Sequence, residues 1–285
     1  MTLARCAVHT MTLKPWSLAQ TCAALAAAGV PAVTVWRQHL PDGNAAAAAR
    51  IVADHGLIVP ALCRGGFFPA ADAAGRQAAI DDNRRALDEA AALGASQVVL
   101  VCGAVPGIPL AEARRMIADG IAACVPHARS LGVRLAIEPL HPCYAGDRSA
   151  VNTMAQARAI CQQFRDQAPP HPAAPGASAA KLVGIAVDVY HVWWDDAVEA
   201  EIAAAGAGGW LHAFHVCDWK AMPADLLNDR GIMGEGVIAI PHLRRCAEAA
   251  GFAGYHEIEI FSAARWAGDQ QRFLDDCLAA YRTRV

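Results

Sequence analysis

Short Val/Ile-rich runs alternate with Ala/Leu/Arg-rich stretches of helical spacing about eight times along the 285 residues, and nothing else in the chain narrows the fold as far. The apolar runs lie at Ala7–Thr10, Ala32–Trp36, Leu57–Cys63, Gln97–Cys102, Val133–Glu138, Val183–Asp188, Leu211–Cys217 and Tyr255–Phe261. Helical patterns lie between them, for example Ser17–Ala28, Arg76–Leu93, Leu110–Leu131, Ala150–Phe164, Asp196–Ala205, Ile240–Ala249 and Ala267–Tyr281. Several end at a glycine that leads straight into the next run, as at Gly29, Gly132 and Gly251. Glycine closes a helix there because it takes the left-handed conformation cheaply. A strand, a helix and another strand in succession make a parallel pair, because parallel strands need a long crossover. About eight such units in a chain near the usual roughly 250 residues predict an α/β fold, a (β/α)₈ TIM barrel, as a single domain over residues 1–285. A doubly wound open sheet is the rival. It lacks support, since no G-x-G-x-x-G follows the first run and no G-x-x-x-x-G-K-[ST] occurs. The Pro/Ala-rich segment 168–180 reads as a surface loop too short to separate domains.

Composition excludes several classes. With 55% hydrophobic and 18% charged residues, a large core is available and disorder is not expected. The net charge is −3, from 24 Lys+Arg and 27 Asp+Glu. No basic excess exists to neutralise a nucleic-acid backbone, although a local site for a small anion stays open. The uncharged run 90–111 is long enough to cross a bilayer. However, Gly94, Ser96, Gln97, Gly103, Pro106, Gly107 and Pro109 break it into a helix end, a strand and a loop. The N-terminus carries no signal-peptide core. The expectation is a cytoplasmic protein with no membrane or nucleic-acid partner. The 10 cysteines form no C-x-x-C pair and sit in apolar segments, so they read as reduced core thiols.

The chemistry of such a barrel sits at the C-terminal ends of its strands. The fifth run closes on Ala136-Ile137-Glu138-Pro139 and the sixth on Val187-Asp188-Val189-Tyr190-His191. The seventh closes on Phe214-His215-Val216-Cys217-Asp218 and the eighth on Glu257-Ile258-Glu259-Ile260-Phe261. Four consecutive strands thus bring a Glu, Asp or His to the same end. Charge at the end of an apolar strand needs a partner, because burying it alone is costly. One divalent ion would partner Glu138, Asp188, His215 and Glu259 together. Three carboxylates and an imidazole suit Mn²⁺, Mg²⁺, Co²⁺ or Zn²⁺ and not a soft copper or iron–sulfur centre. Two choices are made within this set. His212 is read as a core histidine and His215 as the ligand. Glu257 and Glu259 share one strand face; Glu259 is taken as the ligand and Glu257 as the partner of a structural arginine, with the reverse assignment left open.

These strings, in this order, resemble the xylose isomerase-like (β/α)₈ superfamily. Its members include ketose 3-epimerases, hydroxypyruvate isomerases, inosose isomerases and dehydratases, and endonuclease IV. The resemblance spans nearly the whole chain, and its motifs are concentrated between Val133 and Phe261. It implies one divalent metal on the four strand-end residues and proton exchange with substrate by Glu138 and Glu259. It places His191, from Asp188-x-x-His191, and Arg230, from Asp229-Arg230-Gly231, against the substrate. The order of motifs marks the superfamily but does not choose among its reactions.

His9, Trp36, Arg64 and Asp218 complete the expected substrate pocket. Aromatic side chains near strand ends (Trp36, Trp193, Trp194, Trp219, Phe67 and Phe68) suit the C–H faces of sugars. The expected function is a metal-dependent sugar isomerase or epimerase acting on a ketose-like polyol through an enediolate. The expected partners are a small sugar or polyol and a second copy in a homodimer. An inosose-type dehydratase would use the same site. A non-catalytic sugar-binding barrel would have the pocket without the metal, and a Schiff-base aldolase would use Lys220.

Overall fold

Each apolar run becomes a strand, and in the computed structural model the eight strands close into a parallel barrel in the order β1-β2-β3-β4-β5-β6-β7-β8. The structure describes residues 1–167 and 181–285; the segment 168–180, read above as a loop, lies outside them. The strands are β1 (Cys6–His9), β2 (Ala32–Trp36), β3 (Leu62–Gly66), β4 (Gln97–Val101), β5 (Arg134–Glu138), β6 (Val183–Asp188), β7 (Leu211–Val216) and β8 (His256–Ile258). Helices α1 (Leu18–Ala27), α2 (Ala45–Asp54), α3 (Ala73–Leu93), α4 (Leu110–Leu131) and α5 (Met154–Gln163) follow the first five strands. A short α6 (Val189–Val192) and α7 (Val198–Ala207) follow β6, α8 (Ile240–Ala249) follows β7, and α9 (Ala263–Trp266) and α10 (Gln270–Arg284) follow β8. Closure pairs β1 with β8, setting Ala7 opposite Glu257 and Val8 opposite Ile258.

The period-two geometry of a strand sorts the side chains into two cores. Ile137, Val187, Phe214 and Ile258 point outward into the large cluster beneath the helices. Their neighbours Ala136, Ala186 and Ala213 point inward, joining Ala61, Cys63 and Val99 in a small-residue core inside the barrel. Two residues beyond each of these alanines, on the same inward face, stand Glu138, Asp188 and His215. Small side chains below therefore leave a floor on which the polar residues rest.

The helix ends follow the sequence expectation. Gly29, Gly132 and Gly251 have φ of 75°, 70° and 93°. Ser17 and Gln20 cap α1 reciprocally, each side chain satisfying the other's backbone N–H. Helix α2, capped by the Asn44 side chain on the Ala47 N–H, is not among the patterns named above.

The third strand departs most from its predicted range, Leu57–Cys63. Ile58 makes only an isolated bridge to Ala32, and Pro60 has no N–H to donate. The ladder starts at Leu62 and runs on through Gly65 and Gly66. The two adjacent glycines allow close approach to neighbours. A Cβ on Gly66 would sit 1.9 Å from the Val101 carbonyl oxygen, and one on Gly65 2.5 Å from Asn83 Oδ1. The eighth strand is also shorter than the run Tyr255–Phe261, and its ladder stops at Ile258. Among the described residues no helix is long and apolar enough to cross a membrane. All ten cysteines are free, and only Cys143 and Cys246 are not buried.

Candidate active site

The ends of β5, β6, β7 and β8 bring Glu138, Asp188, His215 and Glu259 into one cluster. One ligand-type atom from each lies within 4.8 Å of those from the other three. All four are buried, Glu138 being the most exposed at 4%. His215 Nδ1 lies 3.0 Å from Glu138 Oε1 and 3.7 Å from Glu259 Oε2. Asp188 Oδ1 accepts from the Tyr190 N–H that opens α6 (2.9 Å), so the short helix fixes the carboxylate's orientation. Asp188 Oδ2 and Glu259 Oε2 both accept from Arg230 Nη1, at 2.9 and 3.0 Å.

The titration of the cluster reflects too much negative charge in too little water. Burial raises Asp188 to about 7, with Arg230 opposing and Glu259 and Glu138 adding to the rise. Burial by itself pushes the His215 imidazole down; its hydrogen bond to Glu138 and the charges of Glu257 and Glu259 overcome this and lift it to about 10. Three carboxylates are thus compensated by Arg230 and by a proton on His215. The hard oxygens and one imidazole of this set fit a divalent ion, which would take the place of the His215 proton. His215 Nε2, pointing away from the cluster, is buried and has no hydrogen-bond partner among the described residues.

A second level of polar residues lies just below. Glu257 accepts from the Thr34 hydroxyl, and its Oε2 lies 3.4 Å from His9 Nε2 and 4.0 Å from His215 Nε2. The expectation that Glu257 would pair with an arginine is corrected here. Barrel closure brings β1 and β2 beside it, so its partners are His9 and Thr34. His9 is fully buried and touches both levels. Burial lowers its pKa, but Glu259 and Glu257 together raise it to about 9. Its Nδ1 lies 3.0 Å from Trp36 Nε1 and 3.2 Å from Glu259 Oε1. Accepting from Trp36 requires a lone pair on that nitrogen, whereas bonding Glu259 requires a proton there. The carboxylates favour the protonated ring, and neutralising Glu259 would favour the Trp36 bond.

Above the cluster opens a narrow, half-enclosed cavity. Glu138, Glu259, His191, Arg230, Trp36 and Arg64, all expected at the pocket, line it. His191 is 2% exposed and Arg230 4%, so both lie deeper than loop residues held over a site. Arg230 is clamped between two rings, its Cζ 4.4 Å from the Tyr190 centroid and 4.8 Å from that of Phe261. Its Nη2 lies 3.3 Å from His191 Nε2. Burial and the Arg230 charge push His191 well below the usual histidine range, leaving it neutral.

Asp218 does not take the substrate-facing place expected of it. Its Oδ1 accepts from the N–H groups of Trp219 and Ile238, and its Oδ2 from those of Gly234 and Gly236, at 2.8–3.0 Å. Four backbone donors saturate the carboxylate, and it organises the β7–α8 loop that carries Arg230. The carbonyl of Leu226 in the same loop accepts from both Tyr144 and Tyr190 hydroxyls. Asp218→Ala is therefore expected to orphan those donors and cost roughly 3 kcal/mol. Its thermal midpoint should fall by several degrees, with limited proteolysis cutting first within 219–239. A variant with unchanged midpoint and protease pattern would remove Asp218 from that role.

Lys220 Nζ is paired with Asp229 at 2.5 Å and is not a lining residue of the cavity. This takes away the placement a Schiff-base lysine needs. His212 is buried, as a core histidine should be, yet neither ring nitrogen has a partner among the described residues. Of the other aromatics considered, Phe67 stacks under Arg64 with 4.3 Å from guanidinium carbon to centroid. Trp193 and Trp219 pack on each other away from the lining. The sequence reading missed Leu140, Tyr144 and Arg148 from the β5–α5 loop, along with Leu227 and Phe261. That loop is folded over the barrel by the bridge between Gly103 and Ser149, and no local pattern announces such a contact.

A family model described as xylose isomerase-like TIM barrel matches residues 22–277. Among solved structures, protein SMc04130 from Sinorhizobium meliloti 1021 is 44% identical with a TM-score of 0.90, the match covering 99% of each chain. The IOLI protein with a bound zinc atom is 18% identical with a TM-score of 0.81, covering 97% of this chain and 96% of that one. The apo form of 3-keto-D-glucoside 4-epimerase, YcjR, from E. coli is 18% identical with a TM-score of 0.75, covering 98% and 99%. No curated protein matches the chain by sequence.

Proposed function

The chain belongs to the xylose isomerase-like TIM barrel family, and on that premise we propose that it is a divalent-metal-dependent isomerase or epimerase of a ketose-like polyol. The observation that carries the reading is the cluster of Glu138, Asp188, His215 and Glu259 at the floor of a cavity lined by both glutamates. Similarity to a zinc-containing fold neighbour and to a keto-sugar epimerase agrees with it. Those four residues would hold the ion, which when bound supplies positive charge beside a carbonyl and its neighbouring hydroxyl, acidifying the C–H between them and stabilising the enediolate.

The rest of the work belongs to the chain's own side chains. Glu138 and Glu259 are the proton carriers: one carboxylate takes the proton from carbon, and either the other, in its acid form, gives its own proton to the opposite face, or the first returns its proton to the neighbouring carbon. Arg230, held rigid between Tyr190 and Phe261, keeps Glu259 ionised and oriented. Neutral His191 offers a hydrogen bond to a substrate hydroxyl. Trp36 and Phe261 present apolar faces to the sugar C–H groups and exclude water.

The test is turnover of a panel of ketoses and inososes by metal-loaded protein in D₂O. The expected product is an isomer or epimer carrying deuterium next to the carbonyl carbon. A dehydrated product would move the reaction to the lyase class, using the same proton abstraction. Sugar binding with no turnover and no exchange would reduce the protein to a binding barrel.

A further inference from the structure

Two cavity-lining arginines, Arg64 and Arg148, have no carboxylate at ion-pair distance and no side-chain hydrogen bond among the described residues. The other arginines at this mouth are matched: Arg37 bonds Asp82 and Glu89, and Arg230 bonds Asp188 and Glu259. Arg64 and Arg148 instead face one cavity, close enough that the charge of Arg148 opposes that of Arg64, itself already disfavoured by burial. Two like charges turned toward a half-enclosed space repel each other unless an anion comes between them.

Their backbones are fixed in advance. Arg64 sits within β3, its guanidinium stacked on Phe67. The Arg148 carbonyl accepts from the Gly103 N–H at 2.9 Å, and its own N–H donates to the Tyr144 carbonyl at 3.0 Å. Its guanidinium carbon lies 5.8 Å from the Tyr144 ring centroid. Stacking on aromatic faces holds the planes while leaving their N–H edges free. The negative side chains of the cavity, Glu138 and Glu259, are engaged with His215 and Arg230.

We propose that Arg64 and Arg148 form an anion subsite, so that the substrate is a polyhydroxy ketone bearing a carboxylate or phosphate at the end away from the reacting carbons. The inference rests on the cavity being the substrate site proposed above. It deepens that reading from a neutral sugar to an acidic one. Paired guanidiniums suit either anion, because the fork of N–H donors matches both geometries.

The test is calorimetric titration of the metal-loaded protein with D-fructose, D-fructose 6-phosphate and D-fructuronate, whose anionic groups both lie on C6, away from the C2 carbonyl, with metal content measured on the same samples. One of the two anions should bind about tenfold or more tightly than D-fructose, as charge-assisted hydrogen bonds of ordinary strength provide. Which anion wins identifies the group. Arg64→Gln and Arg148→Gln should each erase the preference while leaving metal content and thermal midpoint unchanged. Equal binding of the three, no binding by any of them, or an anion preference that survives both substitutions overturns the proposal. The two readings fail separately. An arginine-dependent anion preference in a protein that takes up no metal sinks the metal reading alone. A metal-loaded protein without the preference sinks only the anion subsite.

Discussion

Replacing Glu138 or Glu259 by Gln is expected to lower kcat on a ketose substrate by about two orders of magnitude or more, the ordinary contribution of a positioned acid or base. Gln keeps the shape and one oxygen ligand but cannot hold the proton. A carboxylate beside a cation is a weak base, yet the C–H flanked by a polarised carbonyl is itself strongly acidified, which narrows the gap. The sharper readout is solvent deuterium at the carbon next to the carbonyl, with loss of wash-in expected in both variants. Glu257→Gln is the informative control. Glu257 lies one level lower, bonded by Thr34 and facing His9, and is not a lining residue of the cavity. Its substitution should alter exchange far less than that of Glu259. Full exchange in both the Glu138 and Glu259 variants would dismiss them as bases and turn attention to His191.

Removing a ligand has a different signature. Purified His215→Ala and Asp188→Ala proteins should lose most of their divalent metal, read by elemental analysis after passage over a desalting column. His215 is the sole nitrogen in the cluster, and its Nδ1 lies against two of the three carboxylates. Its loss leaves three carboxylates with only Arg230 for compensation. Asp188 is oriented by the Tyr190 N–H and shared with Arg230, so its loss removes one of the three carboxylates and leaves Arg230 paired with Glu259 alone. Outer polar partners of a ligand commonly change affinity by about 10–100-fold, and deletion of the ligand itself should exceed that. Unchanged metal in both variants would show that these residues do not hold it.

The site was legible as far as strand geometry reaches. Alternate residues of a strand face the same way, so an apolar run that ends Ala-Ile-Glu, Ala-Val-Asp or Ala-Phe-His already states which side chain enters the barrel. Eight such runs, all but the second followed by a named helical pattern, already imply the closed parallel sheet. Glycine at Gly29, Gly132 and Gly251 marks the helix ends for a reason internal to one residue. What these features share is that each depends on neighbours two to four positions away.

Tertiary closure decided the rest. Glu257 finds Thr34 and His9 because β8 closes on β1, joining residues separated by more than 200 positions. Asp218 resembled a site residue because it ends an apolar run, but the β7–α8 loop folds back and presents four N–H groups to it. Gly65 and Gly66 carry β3 past its predicted end at Cys63, where β4 and α3 come near enough to require the missing Cβ atoms. Arg148 shows no periodicity at all; it reaches the cavity only because the β5–α5 loop is bridged to Gly103. A sequence carries the local rules by which each strand presents its side chains. Which charges then go unmatched inside a cavity, as Arg64 and Arg148 do among the described residues, is a property of the closed barrel, because pairing depends on distances that only the folded chain sets.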